Sequence, residues 1–119
     1  MMDEQALRDY CLSQKGAGEN FPFGDDVRVF KVMGKMFALI PVGEKPPSIS
    51  LKCDPHWALV LRETYPAITP GYHLNKQHWN SVAVDGTIPD DEVYEMIDHS
   101  YKLIVKALTK DARAKLEKM

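Results

Sequence analysis

A chain of 119 residues that is 45% hydrophobic and 27% charged is long enough to bury one core and short for two. No run of about 18 apolar residues is present, which excludes a membrane-spanning helix, and the opening MMDEQALRDYC lacks the basic start and apolar centre of a signal peptide. A net charge of −2 and a pI near 6.1 fall well below the footprint of a dedicated nucleic-acid binder. The expectation is a single cytoplasmic domain spanning residues 1–119, with no membrane association.

The charge is unevenly spread. Residues 1–26 carry −4, residues 27–80 carry +4 and residues 81–119 carry −2. A cationic middle segment between two anionic ends allows an anionic partner, although a solvated mixed surface explains the count equally well. Cys11 and Cys53 are far apart and each sits in an apolar pattern, which predicts two reduced, part-buried thiols.

Asp3 is placed to cap a first helix, in which Leu7, Tyr10, Cys11 and Gln14 fall on one face. KGAGEN ends that helix, with Gly16 or Gly18 free to take positive φ. VRVFKVMGKMFALIPV predicts a hairpin turning at Met33-Gly34-Lys35, with Val27 and Val29 opposed in facing to Arg28, Phe30 and Val32. SISLKC alternates as a third strand, with Ile49, Leu51 and Cys53 on one face and Ser48, Ser50 and Lys52 on the other. Asp54 and Pro55 fit the N-cap and first position of a second helix, which Pro66 ends. Pro70-Gly71 suits a type II turn with Gly71 at positive φ, followed by short strands near Tyr72–Leu74 and Trp79–Val84. Asp90 is expected to cap the strongest helix, in which Val93, Ile97, Tyr101, Ile104 and Leu108 recur. Thr109 caps a short final one. The order α-β-β-β-α-β-β-α-α, with strands in antiparallel runs, predicts an α+β fold: an antiparallel sheet with helices packed on it.

The segment GYHLNKQHWN is dense in residues that build sites, yet each chemical reading of the chain has a plainer competitor. Cys53-x-x-His56 and His73-x4-His78 resemble zinc spacing, but no further Cys or His pair completes a set, so no metal is expected. A Cys53 thiol paired with His56 or His78 lacks an orienting group and an oxyanion donor, and Cys53 on an apolar strand face reads as core. Asp25-Asp26 reads as a turn, and Asp90, Asp91 and Glu92 as charge at a helix N-terminus. The glycines lack Walker or Rossmann spacing. No catalytic residue and no cofactor is expected. Within GYHLNKQHWN, Trp79 is expected to pack and Asn75 to brace a turn.

FPFGDDVRVFKVMGKMFALI, ISLKCDP, YPAITPGYHLNKQHWNSVAVDGTIPD and MIDHSYKLIVKAL together resemble the MmcQ/YjbR family of small bacterial proteins. The resemblance implies a CyaY-like, secretion-chaperone-like α+β domain. It also implies the family's DNA-binding label, which rests on a "double wing" of hairpins rather than on an operator or a reaction. The leading expectation is therefore a non-enzymatic protein binding double-stranded DNA through Arg28, Lys31, Lys35, Lys52, His73, Lys76 and His78. A protein-interaction or dimerisation module, exposing an apolar patch on the sheet or a helix, is the second. A small-ligand or metal site built around His73, Asn75 and His78 is the third.

Overall fold

The computed structural model describes residues 2–71 and 74–119. The elements in chain order are α1 (Glu4–Leu12), β1 (Ala17–Asn20), β2 (Val27–Val32), β3 (Lys35–Pro41), β4 (Ser48–Lys52), α2 (Pro55–Thr64), β5 (Ile68–Pro70), β6 (Trp79–Ala83), α3 (Asp90–Lys106) and α4 (Lys110–Glu117). The strands form one antiparallel sheet in the spatial order β1-β2-β3-β4-β6-β5. Side chains of opposed residues share a face, so the register sorts the sheet into two sides. Phe30, Ala38, Leu51 and Asn80 lie in one row, and Ile49, Val82 and Ile68 in the next. This side meets the helices in a single core that includes Leu7, Ala58, Val93, Ile97 and Leu116.

The predicted capping holds at three of four helices. Asp3, Asp54 and Thr109 each accept a backbone N–H of the first turn through the side chain. At α3 the N-cap is Pro89 and Asp90 is the first helical residue, so Asp90, Asp91 and Glu92 face the helix dipole from within the first turn, and Glu92 also accepts the Tyr65 hydroxyl. The Met33-Gly34 turn joins β2 to β3 with both residues at positive φ, 50° and 80°, the geometry that matches the twist of a two-residue hairpin.

The α+β architecture is as expected, and three details differ. KGAGEN does more than end α1: after Gly16 at φ 73° it forms β1, an edge strand paired along Val29–Val32. AGEN has no apolar alternation, so its pairing comes from the neighbouring strand and left no periodic signal. A strand that was not expected, β5, precedes the one expected near Tyr72–Leu74. Tyr72 and His73 lie outside the described residues, and Leu74 is not in a strand. Gly71 does not have positive φ. A Cβ there would stand 2.8 Å from the Trp79 Cβ and 3.1 Å from its carbonyl oxygen, so glycine serves close approach of two chain segments.

A β-bulge shapes the centre of the sheet. The register of β2 against β3 shifts between Phe30 and Lys31, and the consecutive residues Phe37 and Ala38 are both buried in the helix-side core. The buried Ser100 of α3 donates its hydroxyl to the Phe37 carbonyl at 2.6 Å and accepts the Lys52 N–H at 3.0 Å. One serine thus serves backbone groups of β3 and β4 and fixes α3 across both strands.

Candidate functional site

The sheet face opposite the helices holds Val27, Val29 and Lys31 of β2, Leu39 and Pro41 of β3, Ser48, Ser50 and Lys52 of β4, and Trp79, Ser81 and Ala83 of β6. Antiparallel pairing brings the C-terminal ends of β2 and β4 beside the N-terminal ends of β3 and β6. Four lysines therefore collect at one end of the sheet: Lys31, Lys35 at the hairpin turn, Lys52, and Lys76 in the turn before β6. Lys35 and Lys76 are exposed, Lys31 and Lys52 half-buried, and none makes an ion pair among the described residues. The half-buried His78 is at the same end. The loops at the far end carry Asp25, Asp26, Glu44 and Asp85 against Lys45.

Arg28 does not join this group. It faces the helices, as its alternation with Val27 and Val29 requires, and its guanidinium contacts Glu4 of α1 at 3.4 Å and Glu19 of β1 at 3.5 Å. It also lies over the Phe21 ring, 5.6 Å from the centroid. Arg8 binds Glu19 from α1 at 2.6 Å. The hydrogen bond from Arg8 holds the Glu19 carboxyl below its ordinary range, against the opposing effect of burial. Arg28 thus ties β2 to α1 and β1. It is removed from the proposed contact surface because it points to the other side of the sheet from Lys31 and Lys52.

Arg62 is a second internal cation of the basic middle segment. From α2 it donates to the Asn80 side-chain oxygen at 2.7 Å, to the Trp79 carbonyl at 3.2 Å and to the Lys76 carbonyl. Asn75 accepts the Gln77 N–H at 2.9 Å through its side chain, and its carbonyl accepts the N–H groups of His78 and Trp79. The Cys53 N–H donates to the His78 carbonyl at 2.7 Å, and the Gly71 N–H to the Trp79 carbonyl at 2.8 Å. The polar residues of the 74–80 segment therefore serve largely to hold its backbone, and Trp79 is buried as expected.

The Asn75 side chain makes a turn rather than converging on a ligand with His78, and His73 lies outside the described residues. Among the described residues, no three His, Cys, Asp or Glu side chains form a metal-holding group. Both cysteines are buried and unpaired in disulfides, and burial pushes each thiol up to about 12, which disfavours thiolate chemistry. His56 is exposed, in the first turn of α2. His99, which the sequence did not single out, accepts the Asp54 N–H through Nε2 at 3.1 Å and meets Trp57 edge-on, with ring centroids 4.6 Å apart. Desolvation lowers its pKa, partly opposed by Asp54 and Glu95.

The sequence also did not reveal a groove of about 490 Å³ on the open face. Its floor is made by Ser48, Ser50 and Ser81, and its walls by Val27, Leu39 and Pro41 on one side with Phe23 and Leu74 from loops. Strand alternation marked Ser48 and Ser50 as outward, but only the sheet order brings Ser81 of β6 beside them beneath both loops.

The pattern of the family described as YjbR matches residues 12–103. The uncharacterised protein YjbR of Escherichia coli K12 is 35% identical over 107 residues, covering 90% of this chain and 91% of its own. The uncharacterised protein YbdF of Escherichia coli O157:H7 is 41% identical, with 92% and 93% covered. The crystal structure of Deinococcus radiodurans protein DR2400, with a domain described as DUF419, superposes with a TM-score of 0.92 at 40% identity, covering 98% of this chain and 89% of that one. A crystal structure from Pseudomonas syringae gives a TM-score of 0.74 at 28% identity, covering 86% and 98%. No helix among the described residues is long and apolar enough to cross a membrane.

Proposed function

The chain belongs to the YjbR family, and from that premise we propose that it is a non-catalytic protein that binds double-stranded DNA through the lysine-bearing end of its sheet. The observation that supports this most is the gathering of Lys31, Lys35, Lys52 and Lys76 from four separate segments, without ion pairs among the described residues. Like charges gather at a cost unless solvent or a partner answers them, and phosphates are a partner of the right sign. Lys35 beside the hairpin turn would run along the backbone as a wing, with Lys76 on the neighbouring turn. His78 would add charge only when protonated. The acidic far end would turn the molecule so that the lysines lead, which reconciles a net charge of −2 with an anionic partner.

A duplex titration at two salt concentrations tests the reading. Four phosphate contacts give a slope of log affinity against log salt of about −3.6, or a loss of roughly 100-fold between about 50 and about 200 mM salt. Lys35→Glu with Lys76→Glu should weaken binding by at least about tenfold and flatten the slope by about 2. Both side chains are exposed, so the fold should lose no more than about 0.5 kcal/mol. An absence of salt-sensitive binding, or full affinity in the double variant, would sink the proposal.

A further inference from the structure

We propose that the groove on the open face is a binding site for a small amphipathic cation, an apolar body carrying a protonated amine. A solvent-facing strand surface ordinarily carries long polar side chains. Here the centre of the face carries serines, and the two flanks are apolar, so the surface is hollow rather than covered. Its volume falls within the range of small-molecule sites.

Each hydroxyl of the floor has a partner within the fold. The hydroxyls of Ser50 and Ser81 lie 3.1 Å apart and hydrogen-bond to one another across β4 and β6. What the floor offers is short side chains and close approach, with Val27, Leu39 and Pro41 as one wall and Leu74 closing the upper end. That arrangement fits an apolar body lying along the strands. Polarity enters at the opposite end, where Glu44 is, among the described residues, the one ionisable side chain lining the groove. Ser48 donates to its Oε2 at 2.8 Å and so orients the carboxylate at the groove mouth. Phe23, 67% exposed, lines the same groove, and an aromatic face beside a carboxylate favours an alkylammonium group. The surrounding loops add Asp25 and Asp26, so the local field has the same sign. The Glu44 mouth of the groove and the lysine group lie at opposite ends of the sheet, and neither proposal depends on the other.

Octylamine, octanol and octanoate share one body and differ in the head, so they separate the apolar and charged contributions. Titrated into the full chain and followed by amide NMR shifts of Leu39, Ser50 and Leu74, octylamine should bind at least about tenfold more tightly than octanoate, with octanol between. Glu44→Gln should bring the three affinities together, because only the amine gains from the carboxylate. Ser50→Leu should fill the floor and weaken all three. Should that variant fail to fold, Glu44→Gln, at an exposed loop position, carries the test by itself. Lys35→Glu with Lys76→Glu should leave the octylamine affinity unchanged. Equal affinities in the parent chain, a preference for the amine that survives Glu44→Gln, or no saturable shift at the groove with any probe would overturn the proposal.

Discussion

On the helix-bearing face of the sheet, charged side chains are matched to one another or to backbone groups; on the open face and its lysine-bearing end they are not. Arg28 has Glu4 and Glu19, and Arg62 has Asn80 and two carbonyls. Lys31, Lys35, Lys52 and Lys76 have no ion pair among the described residues. The contrast divides the cationic middle segment by residue type: both arginines are tied to partners within the fold, while these lysines are not. A planar guanidinium presents several donors in a fixed fork, which suits a brace across three acceptors; an ammonium is a hydrated point charge. The segment charge of +4 therefore overstates what a partner can meet by the two arginines.

The sharpest way to break this division is at Arg62. Arg62→Ala should destabilise the fold by about 2–4 kcal/mol, because it leaves the Asn80 oxygen buried and unmatched and frees the Trp79 and Lys76 carbonyls together. Arg62→Lys should recover only part of the loss, since one ammonium cannot span the same three acceptors. Urea denaturation of both variants measures this. A loss below about 0.5 kcal/mol for the alanine variant would mean that Arg62 is a surface charge like the lysines.

A smaller effect is expected at Gly71, where the same loop meets β6. Gly71→Ala puts a methyl group 2.8 Å from the Trp79 Cβ and 3.1 Å from the carbonyl oxygen that also receives the Gly71 N–H. Backbone must give way, at a cost of about 1–3 kcal/mol. The control is Gly18→Ala on β1, where no atom lies within 4 Å of the added carbon. Equal melting temperatures for the two variants would show that the 71–79 loop is not held against β6 as described.

Much of the fold was legible because local signals and tertiary placement agree. Val27, Val29 and Lys31 do face away from Arg28, Phe30 and Val32, and Ser48, Ser50 and Lys52 away from Ile49, Leu51 and Cys53, since a period of two survives wherever one face is buried. β1 was illegible because an edge strand borrows its order from β2. Gly71 was misread because positive φ and close approach both select glycine, and only the position of Trp79 distinguishes them. For the candidate surface, strand alternation turned Lys31 and Lys52 away from the core but could not bring four segments to one end; that required the strand order. It also could not tell that Arg28 and Arg62 are internal, because an ion pair between Arg28 and Glu4, or a hydrogen bond from Arg62 to Asn80, joins residues on different elements. The outward facing of Ser48 and Ser50 was legible, but a serine floor was not until β4 and β6 were neighbours.

The least disruptive test concerns His99, which lies on the matched side yet has a partner that depends on pH. Its Nε2 accepts the Asp54 N–H, so this nitrogen must be unprotonated for the hydrogen bond to exist. Burial lowers the His99 pKa below its ordinary 6.5; the carboxylates of Asp54 and Glu95 oppose that shift, and Lys102 adds to it. The unfolded chain therefore takes up the proton first as pH falls. Stability linked to His99 is fully present above about pH 6.5 and is lost as pH drops through the lower, folded-state value. His99→Gln supplies a side-chain oxygen that can accept the same N–H without titrating. Between about pH 7 and pH 5, above the range where most carboxylates titrate, the urea midpoint of the parent chain should fall more than that of the variant. Parallel pH profiles would mean that the Asp54 N–H gains nothing from the imidazole, and that the start of α2 is held by the Asp54 side chain alone.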